Sequence, residues 1–267
     1  FKCAQVINTS DAFLSIAKSD TVVTGGGRII PGGTDGATAF AGPMLTVGDD
    51  SGGVKVQNIR IENIELRPAV DGYGTAIKTI GETEYVSVRN CKLGTEQSSA
   101  VRWATGVEHT ALGSFTQVSE CDISSDTAGV SVTAGNSHSV ANNRFSGGGT
   151  GISIVGPSTT VLSENNNING NTIANTETGI ALSKANYTAI SGNNIVCNSA
   201  TSKGISYTAT ATTTNVGLNI TGNTVRAANT GISVVGEDVS GWLSLITITG
   251  NSIRGRDAAD QTSLAGI

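Results

Sequence analysis

The side chains best suited to chemistry gather in the first half of the chain. Asp71, Glu82, Glu84 and Glu108 are carboxylates close in sequence to two cations, Lys78 and Arg102, with Trp103 and His109 beside them. Two carboxylates about 5–9.5 Å apart can cleave a glycosidic bond, one as acid and the other as base or nucleophile. A cation pair with a nearby acid, a histidine and aromatics could instead hold an acidic sugar. Asp71, Glu82 and Glu108 are therefore the candidate catalytic residues, and Lys78, Arg102 and His109 the candidate substrate-binding residues. Ordinary solvated loop charges are the competing reading.

Composition narrows the field. The 267 residues include 35 glycines and only 4 prolines, with a formal charge of −5. Dispersed lysines and arginines on an acidic chain disfavour a nucleic-acid partner. No apolar run approaches the ~18–20 residues of a membrane-spanning helix, so no membrane insertion is expected. No charged-then-apolar signal segment opens the chain. Cys3, Cys91, Cys121 and Cys197 form no Cys-x-x-Cys or His–Cys spacing. Neither a metal site nor a cofactor is expected from them. Cys91 and Cys121 read as buried thiols, with a disulfide left open.

The elements that position these residues repeat. Eight hexads run from Ile61–Leu66 to Ile248–Ile253, with starts 22 to 30 residues apart. Each has a branched aliphatic at position one and a hydrophobe at position six. Position four reads Ile64, Cys91, Cys121, then Asn143, Asn171, Asn193, Asn223 and Asn251. A fixed internal register on an irregular period near 27 is the signature of a solenoid. The asparagines should stack as a ladder at a sharp turn, with Asn itself tolerating the left-handed region there.

A second phrase, Gly or Ala before Ile or Val, alternates with the hexads: Ala76-Ile77, Ala100-Val101, Gly129-Val130, and so on to Gly266-Ile267. Period-2 alternation follows it, the pattern of a half-buried strand. Three short strands per repeat, all running one way, must pair with their equivalents in the next repeat. Parallel crossovers are right-handed. The fold class is therefore all-β, a right-handed three-sheet parallel β-helix of about nine to ten rungs. Residues 1–267 read as one domain and a segment of a longer chain, irregular over 1–53 and regular over 54–267. Phe13–Ile16 and Pro43–Val47 read as the same first strand, and Val22–Ile29 as an earlier, glycine-rich hexad. Insertions are expected at Thr105–Phe115, Gly156–Glu164, Thr208–Asn215 and Gly236–Leu243.

These features together resemble the pectate-lyase-like β-helix superfamily, bacteriophage tailspikes in particular. The hexads with Asn in the turn, the Gly/Ala-Ile strand and the opening Val23–Ile30 carry the resemblance over nearly the whole chain. It implies a tailspike-type protein, on the virion tail or otherwise extracellular, that binds and in some members cleaves bacterial surface polysaccharide, as a homotrimer. A non-catalytic structural or adhesin β-helix is the alternative, and a lyase or epimerase a further one. In the superfamily's enzymes the cleft lies over the sheet that starts at the Gly-Ile step. Its first outward row should read Lys78, Arg102, Ser131, Ser153, Ala181, Ser206 and Ser233, with no carboxylate. That speaks against a conventional active site on those strands. Glu65, Lys92, Asp122 and Arg144 should form another outward row, a ladder of alternating charge. Trp103, Tyr207 and His138 should point inward.

Overall fold

The computed structural model describes residues 14–26, 28–29, 42–49, 55–68, 73–94, 101–158, 162–209, 215–227, 229–236 and 243–255. Every strand pairing among them is parallel. Strands stack on their equivalents one rung away, which makes the chain a right-handed parallel β-helix. The first sheet runs from Leu14–Ile16 to Thr230–Gly236. The second, of nine strands, runs from Val22–Thr24 to Thr247–Thr249. The third runs from Arg28–Ile29 to Ser252–Gly255. The first and third are continuous through Asp122–Val132, an 11-residue strand that rounds the corner between them. The early strands join in register, Leu14 opposite Leu45 and Val23 opposite Ile61.

The core is a set of rows along the axis. Ile77, Val107, Val130, Ile152, Ile180, Ile205 and Ile232 form one row, at most 7% exposed. Each such side chain contributes about 1.5–3 kcal/mol on burial, and the row is shared by rungs that could not bury it singly. Ile77 follows Ala76; the glycine before each later member of the row has a steric cause. A Cβ on Gly106, Gly129, Gly151, Gly179 or Gly204 would lie 2.5–2.6 Å from the carbonyl oxygen of the next rung's glycine. It would also meet a third-sheet side chain, such as Ile195 at 2.4 Å from Gly179.

This row corrects one sequence expectation. Val107, not Val101, stands between Ile77 and Val130. Ala100-Val101 mimics Ala76-Ile77 locally, but the whole strand Trp103–His109 pairs with Tyr73–Thr79. Thr105–Phe115 is therefore no insertion: it holds the strand and the turn after it. The other three expected insertions lie partly outside the described residues.

The ladder turn also differs from expectation. The left-handed residue is the one before each ladder position: Asn63, Asn90, Glu120, Asn142, Gly170, Gly192, Gly222 and Gly250, with φ between 50° and 65°. A second left-handed column lies five residues earlier on every rung, at Asn58, Tyr85, Phe115, Ser137, Asn165, Tyr187, Gly217 and Leu245. The two columns flank the second-sheet strand on six of these rungs, while Val56–Glu62 and Thr83–Arg89 run through Asn58 and Tyr85.

Within this frame the asparagines stack. Asn143, Asn171, Asn193 and Asn223 each donate Nδ2 to the Oδ1 of the next asparagine at 2.9–3.1 Å. The same Oδ1 accepts the backbone N–H of the preceding ladder residue at 2.9–3.0 Å. Each Nδ2 also donates to a carbonyl one rung back, as Asn193 does to Ile168 at 3.0 Å. The cysteines continue the scheme. Cys91 N donates to Cys121 Sγ at 3.4 Å, and Cys121 N donates to Asn143 Oδ1 at 2.9 Å. The thiols donate to Ile61 O and Val88 O at 3.5 and 3.7 Å, the equivalents of the asparagines' carbonyls. The hydrogen bond with Cys91, and then burial, hold the Cys121 thiol above its ordinary range. Both cysteines are free, as is Cys197, so the open disulfide is not formed.

Candidate functional site

The corrected register rebuilds the outward face of the first sheet. Its first row reads Thr46, Lys78, Glu108, Ser131, Ser153, Ala181, Ser206 and Ser233. Glu108 takes the place expected for Arg102, so a carboxylate does occupy the row. Lys78 Nζ lies 3.4 Å from Glu108 Oε2, and Thr75 Oγ1 donates to the same oxygen at 3.1 Å. Both charged side chains are about a quarter to a third exposed, so solvent and other ligands can reach them. Arg102 stands just before the strand and pairs with Asp126 at 3.3 Å. Neither Thr75 nor Asp126 was singled out from sequence.

The remaining candidates scatter. Glu82 is exposed in the turn from the first to the second sheet, and its carbonyl accepts Val56 N–H at 2.9 Å. Glu84 belongs to the second sheet, where it pairs with Lys55 at 2.8 Å and accepts Gln57 Nε2 at 3.1 Å. Asp71 lies outside the described residues. His109 does not face the cleft. Alternation along Trp103–His109 turns it inward beside Val107, where it is fully buried. Its Nδ1 accepts from Thr79 at 2.5 Å and Thr116 at 2.9 Å, leaving Nε2–H towards Gly113 O at 3.4 Å. A sugar contact at His109 is therefore ruled out by position.

His109 belongs to a buried polar seam. Its ring centroid is 4.7 Å from that of His138, and His138 Nε2 donates to Ala134 O at 3.0 Å. The His138 backbone N–H donates to Asn166 Oδ1, and Asn166 Nδ2 donates to Thr188 Oγ1. Burial first, and the neighbouring His138 second, lower the His109 pKa from 6.5 to about 3. Burial lowers that of His138 to about 4. Both rings are neutral core groups at physiological pH. Trp103 is buried as expected, with Nε1 donating to Leu66 O at 3.2 Å. Tyr207 is buried too, its hydroxyl donating to Ala185 O and its pKa pushed up by burial to about 12.

On the third sheet Glu65, Lys92, Asp122 and Arg144 stand opposite one another in that order. Across the adjacent ladder corner, Arg89 pairs with Glu120 at 3.0 Å. Among the described residues, no three His, Cys, Asp or Glu side chains come together in a metal-binding group. No helix among them is long and apolar enough to cross a membrane.

The chain is similar to several solved β-helical proteins. A surface adhesin of Streptococcus pneumoniae, PfbA, matches 80% of this chain and 61% of its own at 14% identity, with a TM-score of 0.48. A DFA-IIIase from Arthrobacter chlorophenolicus without its lid matches 86% of this chain and 75% of its own, at 10% identity and TM-score 0.45. The Dettilon tailspike protein matches 94% and 62%, at 14% identity and TM-score 0.35. The chain thus spans less than two thirds of the adhesin. These similarities say nothing about chemistry. No curated protein matches. Residues 52–259, most of the hexad-bearing chain, match the family described as periplasmic copper-binding protein, NosD, and the chain belongs to that family.

Proposed function

We propose that the outward face of the first sheet binds polysaccharide and does not cleave it. The observation that carries this reading is the composition of one row. Lys78 and Glu108 form an ion pair at one end, and Ser131, Ser153, Ser206 and Ser233 follow on the same line. Hydroxyl groups repeating at a strand spacing of ~4.8 Å, interrupted once at Ala181, suit a polymer that itself repeats hydroxyls. The ion pair offers both a donor and an acceptor to a charged sugar. Glycoside hydrolysis needs a second carboxylate about 5–9.5 Å from the first, and Glu108 is the sole carboxylate of this row among the described residues.

The narrower form of the reading is a tailspike-type shaft that assembles as a homotrimer and meets bacterial surface polysaccharide outside the cell. Cleavage would then fall to carboxylates brought together between subunits. Sedimentation of the full-length protein tests the trimer, and a monomer at micromolar concentration would remove that form.

Copper, named in the family's description, calls for thiolate, thioether or imidazole donors. The described residues do not fit it. Cys91 and Cys121 are committed to the ladder, His109 Nδ1 is taken by Thr79 and Thr116, and His138 Nδ1, buried without a hydrogen-bond partner, belongs to no group of three or more His, Cys, Asp or Glu among the described residues.

The test is incubation with purified capsular and O-antigen polysaccharides, followed by sizing of the glycan and a pull-down. Retention with unshortened glycan is expected, and Glu108→Gln should weaken it. Shortened oligosaccharides would overturn the non-catalytic reading, and failure to retain any glycan would overturn the binding reading.

A further inference from the structure

The left-handed column that opens the second sheet carries side chains that stability does not explain. An L-residue with φ near +60° crowds its Cβ against its own carbonyl, and only Gly, Asn and Asp adopt it readily. Asn58, Asn165 and Gly217 suit the column. Tyr85, Phe115 and Tyr187 do not, yet they hold φ values of 55°, 66° and 46°. Nor are they buried: Tyr85 is 49% exposed, Phe115 44% and Tyr187 51%. An aromatic that is both strained and exposed gains little from folding. Strain retained at such positions points to function.

Tyr85 and Phe115 stack face to face, centroids 4.7 Å apart and planes within 5°. Phe115 covers one face of the Tyr85 ring. The other face turns towards the preceding rung, where Tyr85 joins Asp20, Val22, Asn58, Arg60 and Ser87 around an open depression of about 460 Å³. Asp20 Oδ1 accepts from Asn58 Nδ2 at 3.0 Å. Arg60 is exposed and makes no ion pair among the described residues. A flat apolar ring face, a guanidinium, and amide and hydroxyl groups on one rim, with the Asp20 carboxylate held by Asn58, suit a sugar ring bearing a carboxylate. Its axial C–H face stacks on the aromatic, and its acid meets the cation. Tyr187, four rungs on, lies roughly 19 Å along the same line at a strand spacing of ~4.8 Å.

We propose that this corner is a second glycan site, separate from the first-sheet face, that takes a linear acidic oligosaccharide with one ring stacked on Tyr85. It shares only the ligand class with the function proposed above.

The experiment uses Tyr85→Gly and Phe115→Gly, because glycine relieves the strained φ and should leave the thermal midpoint unchanged or raised. Titration calorimetry with a galacturonate hexamer and a neutral glucose hexamer reads the affinity. The acidic probe should bind the unaltered protein and lose about tenfold in affinity in Tyr85→Gly, with Arg60→Gln weakening the acidic probe more than the neutral one. Binding that survives both glycine variants would overturn the site, whether or not Glu108→Gln abolishes it. Binding lost in the glycine variants and retained in Glu108→Gln would uphold this site and sink the first-sheet reading. A wild-type dimer that Tyr85→Gly converts to monomer, with no glycan bound by either, would overturn the proposal in favour of a contact between copies.

Discussion

Cys121 does for Cys91 what Asn143 does for Cys121: it accepts the backbone N–H of the ladder residue on the previous rung. The thiol does so at 3.4 Å and the amide oxygen at 2.9 Å. The ladder is therefore not broken at the cysteines but continued with a weaker acceptor, and Ile64 is where it stops.

Cys121→Asn should strengthen this joint. The introduced amide can accept Cys91 N–H and donate to Val88 O, as its neighbours do. A net hydrogen bond contributes about 1 kcal/mol, so a gain of that order is expected in urea unfolding at neutral pH. Cys121→Val keeps the volume but orphans the Cys91 N–H, and should cost about 1–3 kcal/mol. A valine variant as stable as the parent would show that the thiol is only a space-filler.

In the middle of the stack, Asn193→Leu should be among the most damaging single changes. It removes the acceptor for Asn171 N and Nδ2 and the donors to Ile168 O and Asn223 Oδ1. Buried groups left without partners cost about 1–3 kcal/mol each, so a loss of at least ~3 kcal/mol is expected from denaturant midpoints. A loss below about 1 kcal/mol would mean that the rung relaxes around the gap.

Acid should weaken the fold through the buried histidine pair. With folded pKa values of about 3 and 4, His109 and His138 stay neutral while the unfolded chain protonates near the ordinary 6.5. Their contribution is fully present above that value and is lost as pH falls towards the folded pKa. The slope approaches ~1.4 kcal/mol per pH unit for each ring. Urea midpoints between neutral pH and about pH 5 avoid most carboxylate titration. Midpoints that do not move over that range would contradict the burial of both rings, and His138→Leu should remove about half the slope.

Alanine should cost more at one kind of glycine than at the other. Gly179→Ala drives a Cβ to 2.4–2.5 Å from Ile195 and the Gly204 carbonyl, overpacking that costs about 1–3 kcal/mol or more. Gly192→Ala meets nothing within 4 Å and bears only the left-handed penalty of roughly 1–2 kcal/mol. Equal losses in thermal melts would argue that backbone conformation, not the facing carbonyl, selects glycine at both places.

The fold was legible because the hexad writes its inward residues in a fixed register, and stacking forces every rung to repeat it. The site was legible only in part. Lys78 and Glu108 were both singled out, but Ala100-Val101 imitates the Gly-Ile step and hid the fact that Glu108 follows the true one at Gly106-Val107. His109 was misplaced by the same shift, since reading Thr105–Phe115 as an insertion put it in a loop, where the alternation of the strand Trp103–His109 does not apply. The Tyr85–Phe115 stack went unseen because nothing in either residue type announces a left-handed backbone. The signal is positional, five residues before Asn90 and Glu120, and is visible only once the second column is known.

That constant interval of five has a practical meaning for the chain's history and for its redesign. Between the two corners a residue can be exchanged but not added or removed, since one extra position would turn a strand inside out and detach it from both stacks. Outside them, length is free. A rung cut and rejoined at its ladder residue presents the same two polar ends as any other. Such proteins can therefore be lengthened, shortened or spliced by whole turns, with new surface chemistry carried in on the inserted coil.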